Sequence, residues 1–153
     1  MFTFLTGIVF NHGGMVDKFI GDCVMAVFGA PEPRDDDAER AALAALEMIE
    51  WLETGNAKWA DEFGRELQLG IGISTGTAIV GNLGSEKRME YTAIGDTVNI
   101  AARLEMLAKP GQILISEATR EELGEDFDVV DLGARDITGR KEQVRIFELR
   151  EEA

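Results

Sequence analysis

Residues 15–29 read MVDKFIGDCVMAVFG, two β-prone stretches either side of Ile20-Gly21-Asp22. In the second stretch Val24, Ala26 and Phe28 alternate with Cys23, Met25 and Val27, so neither side is polar. A strand that faces water on one side alternates apolar with polar residues, and one that is apolar on both sides needs cover above and below. The hairpin is therefore expected at a central, covered sheet position, and the remaining chain must supply the covering layers.

Residues 1–11 have the pattern of the last turns of an amphipathic helix, with Phe2, Leu5 and Val9 and with Phe4 and Ile8 at helical spacing. His12-Gly13-Gly14 stops it, because a residue without a Cβ enters the left-handed region at little cost. After PEPRDDDAER, Asp36 and Glu39 resemble a capping box that opens a second helix, followed by Leu43, Leu46, Ile49 and Leu52. Residues 67–74 alternate Leu67, Leu69, Ile71 and Ile73 with Gln68, Gly70, Gly72 and Ser74, a strand with glycines where a backbone or ligand approaches closely. Residues 77–80 are expected to be its partner. MEYTAIG is a further strand, and Asp96 is expected to cap a helix that runs to about Leu107 and ends at Lys109-Pro110-Gly111. Strands at 112–115, 127–132 and 144–149 and a short helix at 116–123 complete an α+β sandwich, helices on a mostly antiparallel sheet. At 153 residues this is one domain spanning 1–153.

Composition narrows the classes of function. The 29 acidic against 15 basic residues give a net charge of −14, which argues against a general nucleic-acid surface or direct contact with an acidic membrane. A polyanionic substrate would have to be met by a local cationic set. The single cysteine, Cys23, fits a reducing compartment, and no apolar run approaches the ~20 residues needed to cross a bilayer, so a cytoplasmic location is expected. A cytosolic domain of a larger or membrane-bound parent would read the same way.

Two strings carry more information than periodicity does: DKFIGD at 17–22 and YTAIGDTVNIAARLE at 91–105. Both resemble the class III nucleotide cyclases, whose hairpin runs approximately GGxVDKFIGDxVMAVFG and whose later strand and helix run YTxIGDTVNxAARLE. Residues 12–31 and 89–105 follow these patterns nearly residue for residue. GIGISTGTAIVGNLGS and KPGQILIS are similar too, so the resemblance covers essentially the whole chain. It implies a ferredoxin-like class III cyclase sandwich that converts ATP to 3′,5′-cyclic AMP and pyrophosphate. The glycine-rich stretch is not read as a P-loop, because no GK[ST] follows and its glycines do not open a helix.

Taken alone, Asp22 beside Gly21 is an ordinary turn residue, Lys18 a strand lysine whose charge reaches outward, Thr92 an unremarkable strand residue, and Asn99 with Arg103 a solvent-facing helix pair. The resemblance gives each a role. Asp22 matches a metal carboxylate, suited as a hard oxygen ligand to Mg²⁺ or Mn²⁺. Lys18 and Thr92 match the pair that reads the purine edge, here with the adenine type, since guanylate cyclases usually show Glu and Cys at those places. Asn99 and Arg103 match the residues that orient the ribose and neutralise the transition state. Lys87, Arg88 and Arg140 are candidates for the triphosphate. Relatives often show Lys-Gly where this chain has Thr138-Gly139, so a phosphate-binding lysine is either lost here or replaced by Arg140.

The resemblance also implies a head-to-tail homodimer with interfacial sites, and two metal ions held by two carboxylates. The first of those carboxylates belongs to an opening strand resembling FxDIxGFT, which this sequence lacks, so an N-terminally truncated domain with little activity of its own is expected. An inactive cyclase-like module that senses nucleotide or pairs with an active partner is the alternative.

Overall fold

In the computed structural model, which describes residues 2–30, 32–63, 68–85, 88–136 and 143–150, Ile113-Leu114-Ile115-Ser116 forms an interior strand buried on both faces. The elements in chain order are α1 (Phe2–Asn11), β1 (Met15–Ile20), β2 (Cys23–Val27), α2 (Asp37–Phe63), β3 (Ile71–Ile73) and β4 (Ile79–Ser85). They continue with β5 (Arg88–Ile94), α3 (Asp96–Leu107), β6 (Ile113–Ser116), α4 (Glu117–Glu122), β7 (Asp128–Arg135) and β8 (Val144–Arg150). Four strands form one sheet in the order β3-β6-β8-β7, parallel between β3 and β6 and antiparallel elsewhere. The other ladders are the antiparallel pairs β1-β2 and β4-β5.

The two-residue period of β6 builds the layers. Ile113 and Ile115 pack with Ala38, Ala42, Ala45 and Ile49 of α2, together with Leu123 and Leu149. Leu114 and Ile146 pack instead against Leu104 of α3, with Ile100, Ala108 and Leu132 around them. Small residues on α2 let it lie close to the sheet. On the other side the close approach comes from glycine: a Cβ at Gly72 would stand 2.4 Å from both Ala101 O and Glu105 N. Gly72 thus admits the backbone of α3. Two hydroxyl contacts pin the chain just past the C-terminal end of β3, Ser74 Oγ to Thr97 Oγ1 at 2.7 Å and Thr75 Oγ1 to Thr119 Oγ1 at 2.8 Å.

Several expectations change. Residues 77–80 do not pair with β3: that strand pairs with β6, and Ile79 and Val80 begin β4, which pairs with β5. The β1-β2 hairpin forms, but its tip is not covered, since Phe19 and Ile20 are 53% and 59% exposed. The Asp36/Glu39 capping box gives way to a different arrangement at the start of α2. Arg40 donates to Asp36 Oδ1 at 3.0 Å, to the Asp37 carboxylate and to the His12 carbonyl at 2.9 Å, which ties α2 to the end of α1. Asp96 is the first residue of α3, with Gly95 in the cap position. His12, at the end of α1, pairs through Nε2 with Glu47 Oε2 of α2 at 2.8 Å. Among the described residues no helix is long and apolar enough to cross a membrane.

Candidate active site

Lys18 lies on β1 three residues before the turn, and its placement depends on a bulge. Val16 pairs with Ala26 and Lys18 with Met25, so Asp17 is the extra residue of β1. Because Ala26 and Met25 lie on opposite faces of β2, their partners Val16 and Lys18 do as well, although residues two apart in an unbroken strand share a face. The displaced Asp17 reaches the neighbouring ladder, where its Oδ2 accepts the Ala93 N–H of β5 at 3.0 Å. Ala93 follows Thr92, which faces Gly81 in the β4-β5 register. The two base-reading candidates therefore flank a direct link between β1 and β5.

Beyond Ala93 the chain turns at Gly95 straight into α3, which brings Asn99 and Arg103 close in sequence to the same strand. On α3, Leu104 is fully buried while Asn99 and Met106 are exposed and Arg103 is half-buried, so the two candidates share an outward stripe with Met106. Arg103 Nη1 lies 3.7 Å from Met106 Sδ, a weak acceptor, and among the described residues it has no carboxylate within ion-pair distance. Its guanidinium fork can accept an anionic ligand.

Asp22 is exposed at the hairpin turn, where Gly21 adopts φ 60°. A carboxylate there can offer oxygens to a hard cation while leaving most of the shell to phosphate and water, which suits Mg²⁺. The donor type fits, as one ligand: among the described residues no three His, Cys, Asp or Glu side chains gather to hold a metal. Arg88 begins β5, whereas Lys87 and Arg140 lie outside the described residues.

Cys23 is half-buried beside Asp22. Burial pushes its thiol pKa up, and the charges of Glu105 and Asp22 push it further in the same direction. The thiolate is the reactive form. Alkylation of Cys23 by iodoacetamide at pH 8 is thus expected to be several-fold slower than that of glutathione, and Asp22→Asn to accelerate it. A rate equal to the free thiol's, followed by mass spectrometry, would contradict this electrostatic setting.

The site is open. A hollow of about 320 Å³ at the far end of α3, lined by Gln68, Gly70, Glu105, Met106 and Pro110 among others, includes none of the candidate residues. The sequence signal at Asp17 is its residue type alone, since Asp is uncommon inside a strand.

The family model for the adenylate and guanylate cyclase catalytic domain matches residues 1–150. Adenylate cyclase 1 of Rhizobium meliloti is 35% identical over 150 residues, covering 97% of this chain and 23% of the relative. The chain spans between 7% and 23% of the length of the first curated relatives it matches. The crystal structure of the adenylyl cyclase CyaB from P. aeruginosa aligns with a TM-score of 0.92 at 33% identity, covering 99% of this chain and 79% of that one. The guanylyl cyclase Cya2 aligns with a TM-score of 0.89 at 37% identity, covering 97% and 75%. These neighbours have the same α+β fold, and they include both substrate types.

Proposed function

Since the chain belongs to the adenylate and guanylate cyclase catalytic domain family, we propose that residues 1–153 are part of one adenylate cyclase domain, which makes 3′,5′-cyclic AMP and pyrophosphate from ATP for signalling in the cytosol. The observation that supports this best is the link from Asp17 to Ala93, which holds the strand bearing Lys18 beside the strand bearing Thr92. The lysine ammonium can donate to a purine ring nitrogen, and the threonine hydroxyl can both donate and accept at the adenine edge.

In the reaction the ribose 3′-oxygen bonds to the α-phosphorus, the bond from that phosphorus to the bridging oxygen breaks, and pyrophosphate leaves with that electron pair. The hydroxyl proton passes to solvent. Asn99 orients the ribose, and Arg103 offsets the charge that builds on the α-phosphate. Lys87, Arg88 and Arg140 bind the remaining phosphates. Asp22 would hold Mg²⁺ or Mn²⁺, with two ions in the working site; such ions lower the pKa of the attacking hydroxyl and offset phosphate charge.

A site this open does not exclude water, and catalysis of this kind gains from a closed surface. Exposed Phe19, Ile20, Ile79, Ile94, Met106 and Leu107 lie on the elements that bear or adjoin the candidate residues. A head-to-tail homodimer would cover these side chains and complete each site, with the metal carboxylate from one subunit and Lys18, Thr92, Asn99 and Arg103 from the other.

The test uses the full-length gene product with Mn²⁺ and with Mg²⁺, supplied with ATP or GTP. The unaltered protein is expected to prefer ATP. The double variant Lys18→Glu with Thr92→Cys should shift the kcat/KM ratio toward GTP by about 100-fold, the scale of two exchanged polar contacts. Turnover of neither nucleotide would favour a nucleotide-sensing or dimerisation module, and a preference for GTP would overturn the assignment of substrate.

A further inference from the structure

We propose that Asp17 is a positioning residue that sets nucleobase discrimination by holding Lys18 and Thr92 in register with each other across two separate ladders. This rests on reading Lys18 and Thr92 as the base-recognising pair.

The argument begins with the ladders. β1 pairs with β2, and β5 with β4, so among the described residues no backbone ladder fixes β1 against β5. The Asp17 carboxylate provides such a fix, accepting the Ala93 N–H at 3.0 Å. Ala93 is 5% exposed, so its N–H lies where water does not readily replace a lost acceptor. A side-chain oxygen fixed on a backbone N–H sets strand position, because moving either strand breaks the bond. Lys18 and Thr92 are the immediate chain neighbours of the two linked residues, each one peptide unit from the contact. Asp17 is also the extra residue of the bulge, which places Lys18 opposite in face to Val16. A strand without the bulge would send the lysine to the other side. The bulge thus sets which face the lysine takes, and the Asp17 carboxylate sets how its strand lies against that of the threonine.

Discrimination between adenine and guanine depends on where donors and acceptors sit along the ring edge, and small misplacements of a polar pair are costly for a ligand matched to it. The measured quantity is the kcat/KM ratio for ATP over GTP, taken with one preparation of the full-length gene product, so that a lower folded fraction cancels. Asp17→Ala is expected to reduce the ratio by about tenfold, the effect of losing one charge-assisted hydrogen bond. Asp17→Glu, which keeps the charge but moves the carboxylate by one methylene, should reduce it as well and serves if the alanine variant does not fold. Asp17→Asn retains an oxygen acceptor and should keep the ratio within about threefold of the parent. A purely structural role would lower thermal stability in the alanine variant and leave the ratio unchanged, and that result overturns the proposal. Lys18→Ala separates the two failures. If it collapses discrimination while Asp17→Ala and Asp17→Glu do not, the positioning role is wrong and the base-reading pair stands; if it leaves discrimination intact, the pair itself is wrong and the proposal falls with it.

Discussion

Replacing Arg103 by Ala in the full-length gene product is expected to lower kcat for cyclic AMP formation by about 100- to 1,000-fold with little change in KM, as when one donor to developing charge is removed. The reason lies in where the side chain sits. Arg103 is half-buried on the outward stripe of α3, four residues after Asn99, and its described contact is the weakly accepting Met106 Sδ. Nothing in that setting needs a guanidinium for folding, so the substitution should leave the melting temperature nearly unchanged, as surface replacements usually do. A loss confined to kcat would mean that the cation acts where charge grows. Arg103→Lys keeps the charge and loses the planar fork, so a smaller loss, about tenfold or more, is expected. Turnover within about threefold of the parent in the alanine variant would remove Arg103 from the mechanism, since a transition-state donor contributes far more than that.

Gly72→Ala should have the largest effect on stability. The added Cβ would stand 2.4 Å from Ala101 O, 2.4 Å from Glu105 N and 2.8 Å from Leu104 Cβ. Two of these are helix backbone atoms, which cannot swing aside as the end of a side chain can. α3 must move away from β3, at a cost of about 2–3 kcal/mol for overpacking a tight interface. For a domain of this size that corresponds to a fall of roughly 5–10 °C in melting temperature. Asn99 and Arg103 travel with α3, and a shift of about 1 Å in catalytic groups can cost on the order of 100-fold in rate, so activity should fall at temperatures where the variant remains folded. Gly7→Ala is the control: a Cβ there meets nothing within 4 Å, and it lies inside α1, so a gain of about 0.5–1 kcal/mol is expected. Equal melting temperatures for the two variants, by calorimetry, would show that the α3–β3 approach is not what requires Gly72.

The elements themselves were legible because each has a local cause. Alternation marks β3, helical spacing marks α2, and Lys109-Pro110-Gly111 marks the end of α3. Pairing was not legible in the same way. Residues 77–80 follow the β3 segment closely, and adjacent strands often pair, yet β3 takes β6 about 40 residues later in parallel. The capping box failed for a related reason: Asp36 and Asp37 serve an Arg40 that also reaches the His12 carbonyl, a contact spanning 28 positions.

The site follows the same division. Lys18, Asp22, Thr92, Asn99 and Arg103 stand out in the sequence because long strings of residue types resemble one family, and residue identity is what chemistry selects. The doubly apolar hairpin led to an expectation of full cover, because alternation reports that a face avoids water and not what covers it. Only the tertiary structure shows Phe19 and Ile20 exposed at the tip, Gly72 admitting a helix backbone, and Asp17 leaving its ladder to hold Ala93. Side-chain period and residue chemistry are local properties, whereas strand neighbours, close approaches and bulges depend on residues far apart in the chain meeting at a few ångströms.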